Sequence, residues 1–177
     1  VVMSGAIQNG MTLVLHPAFE EKAIMQSIQD HGATLFEGVP TMYMFMLNHP
    51  DFDNYDLSSL RCCTVGGQTM PTPKMVEVEQ RFGCPLIELW GMTEIGGLGS
   101  TFASNGLVKH GSIGIALPYT EARIADTEDA STTMPLGEVG YDRSMTFLSS
   151  AEIRTVIEQK YTLLDSTYKT GGPAVYA

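Results

Sequence analysis

The residues of this sequence best suited to chemistry form the segment Trp90-Gly91-Met92-Thr93-Glu94, which follows an apolar run. The threonine hydroxyl and the free backbone N–H groups of such a turn can donate to a phosphate oxygen, and a carboxylate can hold Mg²⁺. The indole ring offers a flat face to a base or an acyl group. Turns of this kind are more often structural than catalytic, so both interpretations stay open on these residues alone.

A second candidate turn is Gly66-Gly67-Gln68-Thr69, which also follows an apolar segment. Two adjacent glycines allow a flat ring to approach the main chain, because no side chain stands in the way. A tight turn without a ligand is the competing interpretation. The sequence contains neither GxGxxG nor GxxxxGK[ST], so these glycines do not belong to either common phosphate-binding motif.

The elements that would position these turns alternate between strands and helices. Short apolar runs predict strands at Met11–Leu15, Ala33–Glu37, Arg61–Val65 and Pro85–Trp90. Helical spacing and terminal residues predict helices at Phe19–His31, Thr41–Asn48 and Thr72–Phe82. The alternation predicts an α/β fold, in which a partial parallel-sheet core carries flanking helices.

In a parallel sheet, the turns that follow the strands lie at one edge, and ligands bind at that edge. We therefore expect Gly38-Val39-Pro40 to lie near the two candidate turns. The Met-rich stretch Met42–Met46 is predicted to be core, although flexible thioethers in a pocket wall would also suit an acyl chain.

The pattern changes after the first hundred residues, which are predicted to form the α/β core. Glycines between residues 96 and 140 separate short apolar stretches such as Ser112–Leu117 and Glu121–Ala125. This pattern predicts a short β-rich subdomain of antiparallel strands over residues 101–140. Gly96-Gly97-Leu98-Gly99 is predicted to be a flexible connector rather than an anion cradle.

Residues 141–177 are predicted to form an atypical tail with one C-terminal amphipathic helix. Ser149 and Glu152 have the spacing of a capping box. An apolar stripe follows at helical spacing, formed by Ile153, Val156, Ile157, Tyr161 and Leu164. We expect this stripe to pack on the rest of the chain, or on a second copy or another partner.

Composition excludes several classes of function. The net charge of −10 disfavours nucleic-acid binding, which needs a positive surface. No apolar run approaches the roughly 18 residues of a membrane span. The three cysteines lack metal-type spacing, so we expect core residues in a reducing, cytoplasmic compartment. The four histidines are scattered and do not predict a zinc site.

A series of segments, taken in order, resembles the acyl-CoA synthetases of the adenylate-forming (AMP-binding) superfamily. One short turn is weak support, but this ordered series over roughly residues 11–140 is specific. The phrases around His49-Pro50 and Trp90-Gly91 look most like medium- and long-chain fatty-acyl-CoA ligases, although an aryl acid stays open. The matching segments are Gly38–Tyr43, Leu47–Phe52, Asp56–Arg61, Val65–Gly67, Glu88–Glu94, Gly111–Gly114, Leu117-Pro118 and Gly137–Gly140.

The resemblance implies a ligase that uses ATP, Mg²⁺ and CoA. In such enzymes a carboxylate attacks the α-phosphate of ATP, pyrophosphate leaves, and the CoA thiol then displaces AMP from the acyl-adenylate. The implied partners are a small carboxylic acid, ATP and CoA. A lipid substrate would also allow association with a membrane surface.

The resemblance also implies roles for individual residues. Thr93 would bind the α-phosphate, and Glu94 would hold Mg²⁺. Val39, Tyr43 and Gly91 would border the acyl pocket. The implied nucleotide-binding residues are Gly66, Gly67, Gln68, Glu88, Leu89, Trp90, Gly91, Met92 and Thr93, of which the first six would lie against adenine.

The sequence departs from the family in several places. It lacks the family's Ser/Thr/Gly-rich phosphate loop, its Thr-Gly-Asp segment, its hinge and its small domain with a catalytic lysine, and it opens with Val1. We therefore expect a central fragment of a longer ligase, inactive alone. Tyr141–Thr170 does not match the family, so an insertion, a recombined segment or a frame change stays open. The alternative function is a non-catalytic nucleotide-binding, acyl-binding or interaction module.

Overall fold

The computed structural model describes residues 2–103, 106–118, 120–124, 126, 129, 132–135 and 154–156. The chain divides into two compact units, Val1–Ile87 and Glu88–Ala177. Five strands form one partly parallel sheet in chain order, and helices accompany it, so the predicted α/β class is confirmed. The division into segments 1–100, 101–140 and 141–177 stays a prediction.

The first unit alternates helices with parallel strands, as the sequence predicts. Strand β1 (Leu35–Gly38) runs parallel to strand β2 (Cys62–Gly66), with Glu37 opposite Thr64 and Gly38 opposite Val65. The Cys63 N–H donates to the Pro85 carbonyl over 2.8 Å, just before strand β3 (Leu86–Met92). The bounds are α1 Val2–Gln8, α2 Glu21–His31, β1 Leu35–Gly38, α3 Pro40–Leu47, β2 Cys62–Gly66, α4 Thr72–Phe82 and β3 Leu86–Met92.

Local chemistry explains where the helices of this unit begin. At the start of α2 the Glu20 carboxylate accepts the Ala23 N–H, which would otherwise lack a helical partner. Pro40 opens α3, where its missing N–H removes no helical hydrogen bond. Helices α2, α3 and α4 each bury residues in a shared core, which includes Met25, Ile28, Tyr43, Met46, Met75, Val78 and Phe82.

The expectation of a strand in the N-terminal segment is wrong. Met11–Leu15 is not a strand; these residues have no regular structure, and Leu15 is 75% exposed. An apolar run becomes a buried strand only where a neighbouring strand and a helix cover it. The segment instead approaches α2 through a 2.9 Å hydrogen bond between His16 Nε2 and Ser27 Oγ. Helix α1 was not expected from the sequence.

The second unit contains an antiparallel strand where the sequence predicts a connector. Strand β4 (Gly97–Thr101) pairs antiparallel with β3, and β5 (Ile115–Ala116) pairs antiparallel with β4. The expected flexible loop at Gly96–Gly99 is therefore wrong from Gly97 onwards. The predicted strand within Ser112–Leu117 is confirmed at β5.

The expected helix of the tail is wrong at the three tail residues that the structure describes. Arg154–Val156 forms strand β7, which pairs in parallel with β6 (Glu121–Arg123). Thr155 and Val156 are β-branched and favour extended backbone, which outweighs the helical spacing. The predicted capping box and the rest of the apolar stripe lie outside the described residues; these are Ser149, Glu152, Ile153, Ile157, Tyr161 and Leu164.

The helices are short. None within the described ranges is long and apolar enough to cross a bilayer.

Candidate functional site

The turn after β2 presents open backbone surface. Gly67 has a φ of +81°, in the left-handed region that favours glycine. Among the described residues, a Cβ added at Gly67 would contact only Val39 Cγ1, at 3.5 Å. Gly67 and Gln68 are both exposed, and Gly66 is half-buried. A flat ligand could therefore approach this main chain directly, as the sequence predicts.

The turn after β1 meets the turn after β2. β1 ends at Gly38, and the next residue, Val39, reaches Gly67 with its side chain. Val39 is partly exposed and apolar. The prediction that these two turns share one edge of the parallel sheet is confirmed.

Tyr43 lies below this edge and has no exposed surface. Its hydroxyl donates to the Thr64 carbonyl over 2.7 Å and lies 3.3 Å from the Phe36 carbonyl. Its ring packs edge-on against Phe36 and Phe82. Burial raises its pKa well above the ordinary value, so the hydroxyl stays protonated and donates. Its place beside an acyl group stays a prediction, because these contacts already account for its position.

Glu37 is a charged group at this edge that sequence reasoning missed. Its carboxylate accepts a 3.4 Å hydrogen bond from Thr64 Oγ1 on the neighbouring strand. Desolvation raises the Glu37 pKa, and the hydrogen bond from Thr64 opposes that rise. The sequence feature that could have revealed Glu37 is a carboxylate in an otherwise apolar strand segment.

The end of strand β3 is built differently: the predicted strand end at Trp90 is wrong, because the strand continues through Gly91 and Met92. The pairing of β3 with β4 is irregular between Trp90 and Gly91. A Cβ added at Gly91 would lie 2.0 Å from the Gly97 carbonyl oxygen. Glycine is therefore required at position 91 for β4 to approach, whether or not a ligand binds there. Its contact with an acyl group stays a prediction.

The Trp90 ring packs against its own chain. A Cβ added at Gly99 would lie 2.9 Å from Cζ3 of this indole, so the ring covers Gly99. Trp90 also packs against the buried Ile113 and remains half-buried. Its flat surface is thus partly occupied, and its neighbours Leu89 and Met92 are half-buried on the same strand.

Thr93 and Glu94 lie in a single 3-10 turn, Thr93–Ile95. The Gly96 N–H donates to the Thr93 carbonyl over 3.0 Å, and Ile95 anchors the turn in the interior. The Thr93 side chain is exposed and free to reach a phosphate. Mg²⁺ fits one carboxylate, because it retains several waters and binds nucleotide phosphates as well. The described residues contain no preformed cluster of three or more metal-ligating side chains.

Glu88 connects β3 to the loop at residues 110–114. Its buried carboxylate accepts the Gly111 N–H over 3.1 Å, and its carbonyl accepts from Thr101 Oγ1 over 2.9 Å. Burial raises the Glu88 pKa, while the Gly111 N–H and the charge of His110 oppose this rise. The sequence did not reveal this link. The predicted contact between Glu88 and adenine stays a prediction.

The predicted site residues therefore fall into two groups. Val39, Tyr43 and the Gly66–Gln68 turn lie in the first unit, and positions 88–94 lie in the second. The structure brings residues together within each group. The convergence of the two groups on one ligand stays a prediction.

A family model described as "AMP-binding enzyme" matches residues 1–141, which include every predicted site residue. This chain belongs to the AMP-binding enzyme family.

Curated relatives of this chain are CoA ligases. It is 36% identical to a long-chain-fatty-acid–CoA ligase of Bacillus subtilis over 138 residues, which is 76% of this chain and 24% of that enzyme. It is 33% identical to a feruloyl-CoA synthase of an Amycolatopsis species over 132 residues, covering 74% of this chain and 26% of that enzyme. The chain thus spans about a quarter of the length of these relatives.

Solved structures of the family share the fold. An anthranilate CoA ligase in complex with anthranoyl-AMP aligns with a TM-score of 0.67 and 28% sequence identity, covering 74% of this chain and 25% of that one.

Proposed function

We propose that this chain is a section of an adenylate-forming ligase that uses ATP to join a carboxylic acid to CoA. The observation that carries the proposal is the AMP-binding family match over residues 1–141, which spans both glycine turns. The named relatives act on different acids but share CoA as the acceptor in their names, which supports the general reaction.

In this proposal the open turn at Gly66–Gln68 and the segment Glu88–Trp90 contact the adenine. The absence of obstruction at Gly67, among the described residues, supports the first contact. The exposed Thr93 hydroxyl donates to the α-phosphate. Glu94 holds Mg²⁺, which supplies positive charge that an acidic chain with net charge −10 lacks.

We further propose a fatty acid of medium or long chain as the substrate. Val39 presents an apolar side chain at the sheet edge, and the half-buried Met42 and Met44 follow on α3. Flexible thioethers can repack around an alkyl chain. The name of the Bacillus subtilis relative supports this choice, whereas the feruloyl-CoA and anthranilate ligases make an aryl acid the competing outcome.

Calorimetric titration with AMP and with two non-hydrolysable acyl-adenylate analogues tests the proposal. One analogue carries a dodecanoyl group and the other a feruloyl group. We expect saturable binding in the presence of Mg²⁺, with the dodecanoyl analogue binding at least about tenfold more tightly than AMP, a difference of ~1.4 kcal/mol.

Comparing AMP with the two analogues tests the ligase function and the fatty-acid substrate separately. Tighter binding of the feruloyl analogue would refute the fatty substrate and retain the ligase section. Equal binding of AMP and both analogues would indicate a nucleotide-binding module without an acyl site. If no compound binds, the proposed site is wrong.

A further inference from the structure

Two buried cysteines lie side by side in the core of the first unit. Cys63 is on β2, and Cys84 lies between α4 and β3. They are 21 positions apart in sequence, and their sulfur atoms are 3.5 Å apart in hydrogen-bond contact. Cys63 has no exposed surface, and Cys84 is 7% exposed. The sequence predicts core residues here, which the burial confirms, but their proximity could not be read from it.

The backbone holds this pair in place. The Cys63 N–H donates to the carbonyl of Pro85, the residue after Cys84, over 2.8 Å. On the other side, the Glu79 carboxylate accepts the Leu86 N–H over 2.9 Å. The two sulfur atoms, 3.5 Å apart, need to come only about 1.5 Å closer to reach the disulfide bond length of about 2.0 Å.

The third cysteine is separated from this pair. Cys62 is adjacent to Cys63 on β2, so its side chain projects from the opposite face of the strand. Its sulfur contacts the Cys63 carbonyl oxygen at 3.4 Å. Burial raises the pKa of Cys62 to about 11, so little of its reactive thiolate exists at neutral pH.

We propose that Cys63 and Cys84 form an oxidation site, in which a peroxide converts the two thiols into an intramolecular disulfide while Cys62 remains a free thiol. The proposal concerns the core of the first unit and does not depend on the proposed ligase function.

The two cysteines have different parts in this reaction. The hydrogen bond with Cys63 lowers the pKa of Cys84, although burial and the Glu79 carboxylate oppose that effect. The same hydrogen bond, together with burial, raises the pKa of Cys63. Cys84 is 7% exposed and Cys63 has no exposed surface, so peroxide reaches Cys84 first; Cys84 is therefore the attacking thiolate, and Cys63 is the resolving thiol.

The chemistry balances with hydrogen peroxide as the oxidant. The Cys84 thiolate attacks one peroxide oxygen, the O–O bond breaks, and hydroxide leaves as the sulfenic acid forms. The Cys63 sulfur then attacks the Cys84 sulfur, the S–S bond forms, and a second hydroxide leaves. Two protons from the thiols convert the hydroxides into two waters, and the sulfurs lose two electrons in total.

The cross-link would connect β2 to the segment before β3. Cys63 lies three positions before Gly66, so the bond would fix the strand that leads into the open turn. A disulfide stabilises mainly by restricting the unfolded chain. We expect the oxidised chain to melt above the reduced chain, by roughly 2–4 °C or more for a chain of this length.

Mass spectrometry tests the proposal on the reduced chain treated with hydrogen peroxide under native conditions. We expect a mass loss of about 2 Da, and a fall from three titratable thiols to one, both reversed by dithiothreitol. Cys62 and Cys63 share one tryptic peptide, because trypsin cleaves after Arg61 and Lys74. The Cys62→Ser variant resolves this ambiguity and should still lose about 2 Da.

The Cys84→Ser variant should keep its two thiols without any cross-link. Cys63→Ala, which removes the resolving thiol, should instead stop at a sulfenic acid that dimedone traps; because Cys63 is buried, its fold is checked by circular dichroism. A link between Cys62 and Cys63, a cross-link between chains, or oxidation to sulfinic acid without any disulfide would each overturn the proposal.

Discussion

Gly67, in the turn after β2, and Gly91, inside strand β3, require glycine for opposite reasons. At Gly67 the backbone adopts a left-handed conformation, and the space that a side chain would fill is open among the described residues except for Val39. At Gly91 the same space is filled by the carbonyl oxygen of Gly97 on β4. The first glycine exposes main chain to a ligand, and the second allows two strands to approach.

Each of these glycine positions is also supported by one buried polar side chain. Tyr43 donates to the carbonyl of Thr64, two residues before Gly66. Glu88 accepts from Gly111 and holds a loop against the strand that leads to Gly91. The comparison teaches that a glycine beside a predicted ligand site is not itself a sign of ligand contact. The supporting contacts decide whether the glycine serves the fold or leaves space for a ligand.

The largest expected effect is at Gly91. Gly91→Ala would place a methyl group 2.0 Å from a backbone oxygen, which cannot move without displacing β4. We expect a loss of about 3 kcal/mol or more in the free energy of unfolding, measured by urea denaturation. Gly5→Ala is the control, because its Cβ meets nothing within 4 Å on α1. A Gly91→Ala chain as stable as the native one would refute the account of the close β3–β4 packing.

Glu88 provides the next largest effect. Glu88→Leu leaves the Gly111 N–H without its acceptor in a buried place, so we expect a loss of about 2 kcal/mol. Glu88→Gln keeps an acceptor and lacks the charge. Thermal unfolding of the three chains at several pH values measures both effects.

The pH dependence of Glu88 has a definite sign. Because burial raises its folded pKa above the ordinary 4.5, the folded chain binds a proton more tightly than the unfolded chain. The stabilisation that this tighter proton binding gives to the folded chain is complete at pH values below the unfolded pKa. It is lost as the pH rises through the folded pKa. The stability of Glu88→Gln relative to the native chain should therefore increase as pH rises from about 4 to 7. A constant difference would contradict the raised pKa.

Tyr43 should have a smaller effect on the turn after β2. Tyr43→Phe removes the hydroxyl that donates to the Thr64 carbonyl and keeps the ring contacts. We expect a loss of about 1.5 kcal/mol in unfolding free energy. Tyr55→Phe is the matched control, since Tyr55 packs on the same core but its hydroxyl has no partner in the described part of the chain. Equal effects of the two substitutions would show that the Tyr43 hydrogen bond contributes nothing.

The smallest effect on stability, and a large one on binding, is expected at Gly67. Gly67→Ala must adopt a φ of +81°, so we expect a loss of roughly 1 kcal/mol, whereas Gly5→Ala should gain about 0.5 kcal/mol. The new methyl group would obstruct the open face of the turn. Calorimetry with an acyl-adenylate analogue should show weaker binding by Gly67→Ala and unchanged binding by Gly5→Ala.

Local signals allowed much of the first unit to be predicted. Helix α4 spans Thr72–Phe82 as expected, because Pro73 at its start and Gly83 at its end mark both limits. Strand β2 differs by one residue at each end from its prediction. Each of these elements has a clear hydrophobic period in the sequence and residues that mark where it begins and ends.

The second unit was predicted less well because its structure depends on contacts between distant residues. The segment Gly97–Thr101 has no strand pattern; it becomes a strand because Gly91 and Gly99 allow β3 and Trp90 to approach. The hydrogen bond from Gly111 to Glu88 joins residues 23 positions apart, which no local pattern reveals. The candidate site residues were nominated by motif order, and their supporting contacts by the structure alone.

The central proposal is that this chain binds an acyl-adenylate through the open turn at Gly66–Gln68. The most direct measurement is an amide ¹⁵N–¹H correlation spectrum of the chain titrated with the dodecanoyl-adenylate analogue. We predict saturable shifts at Gly66, Gly67 and Gln68. Unchanged signals of these three residues at saturating analogue would contradict the proposal.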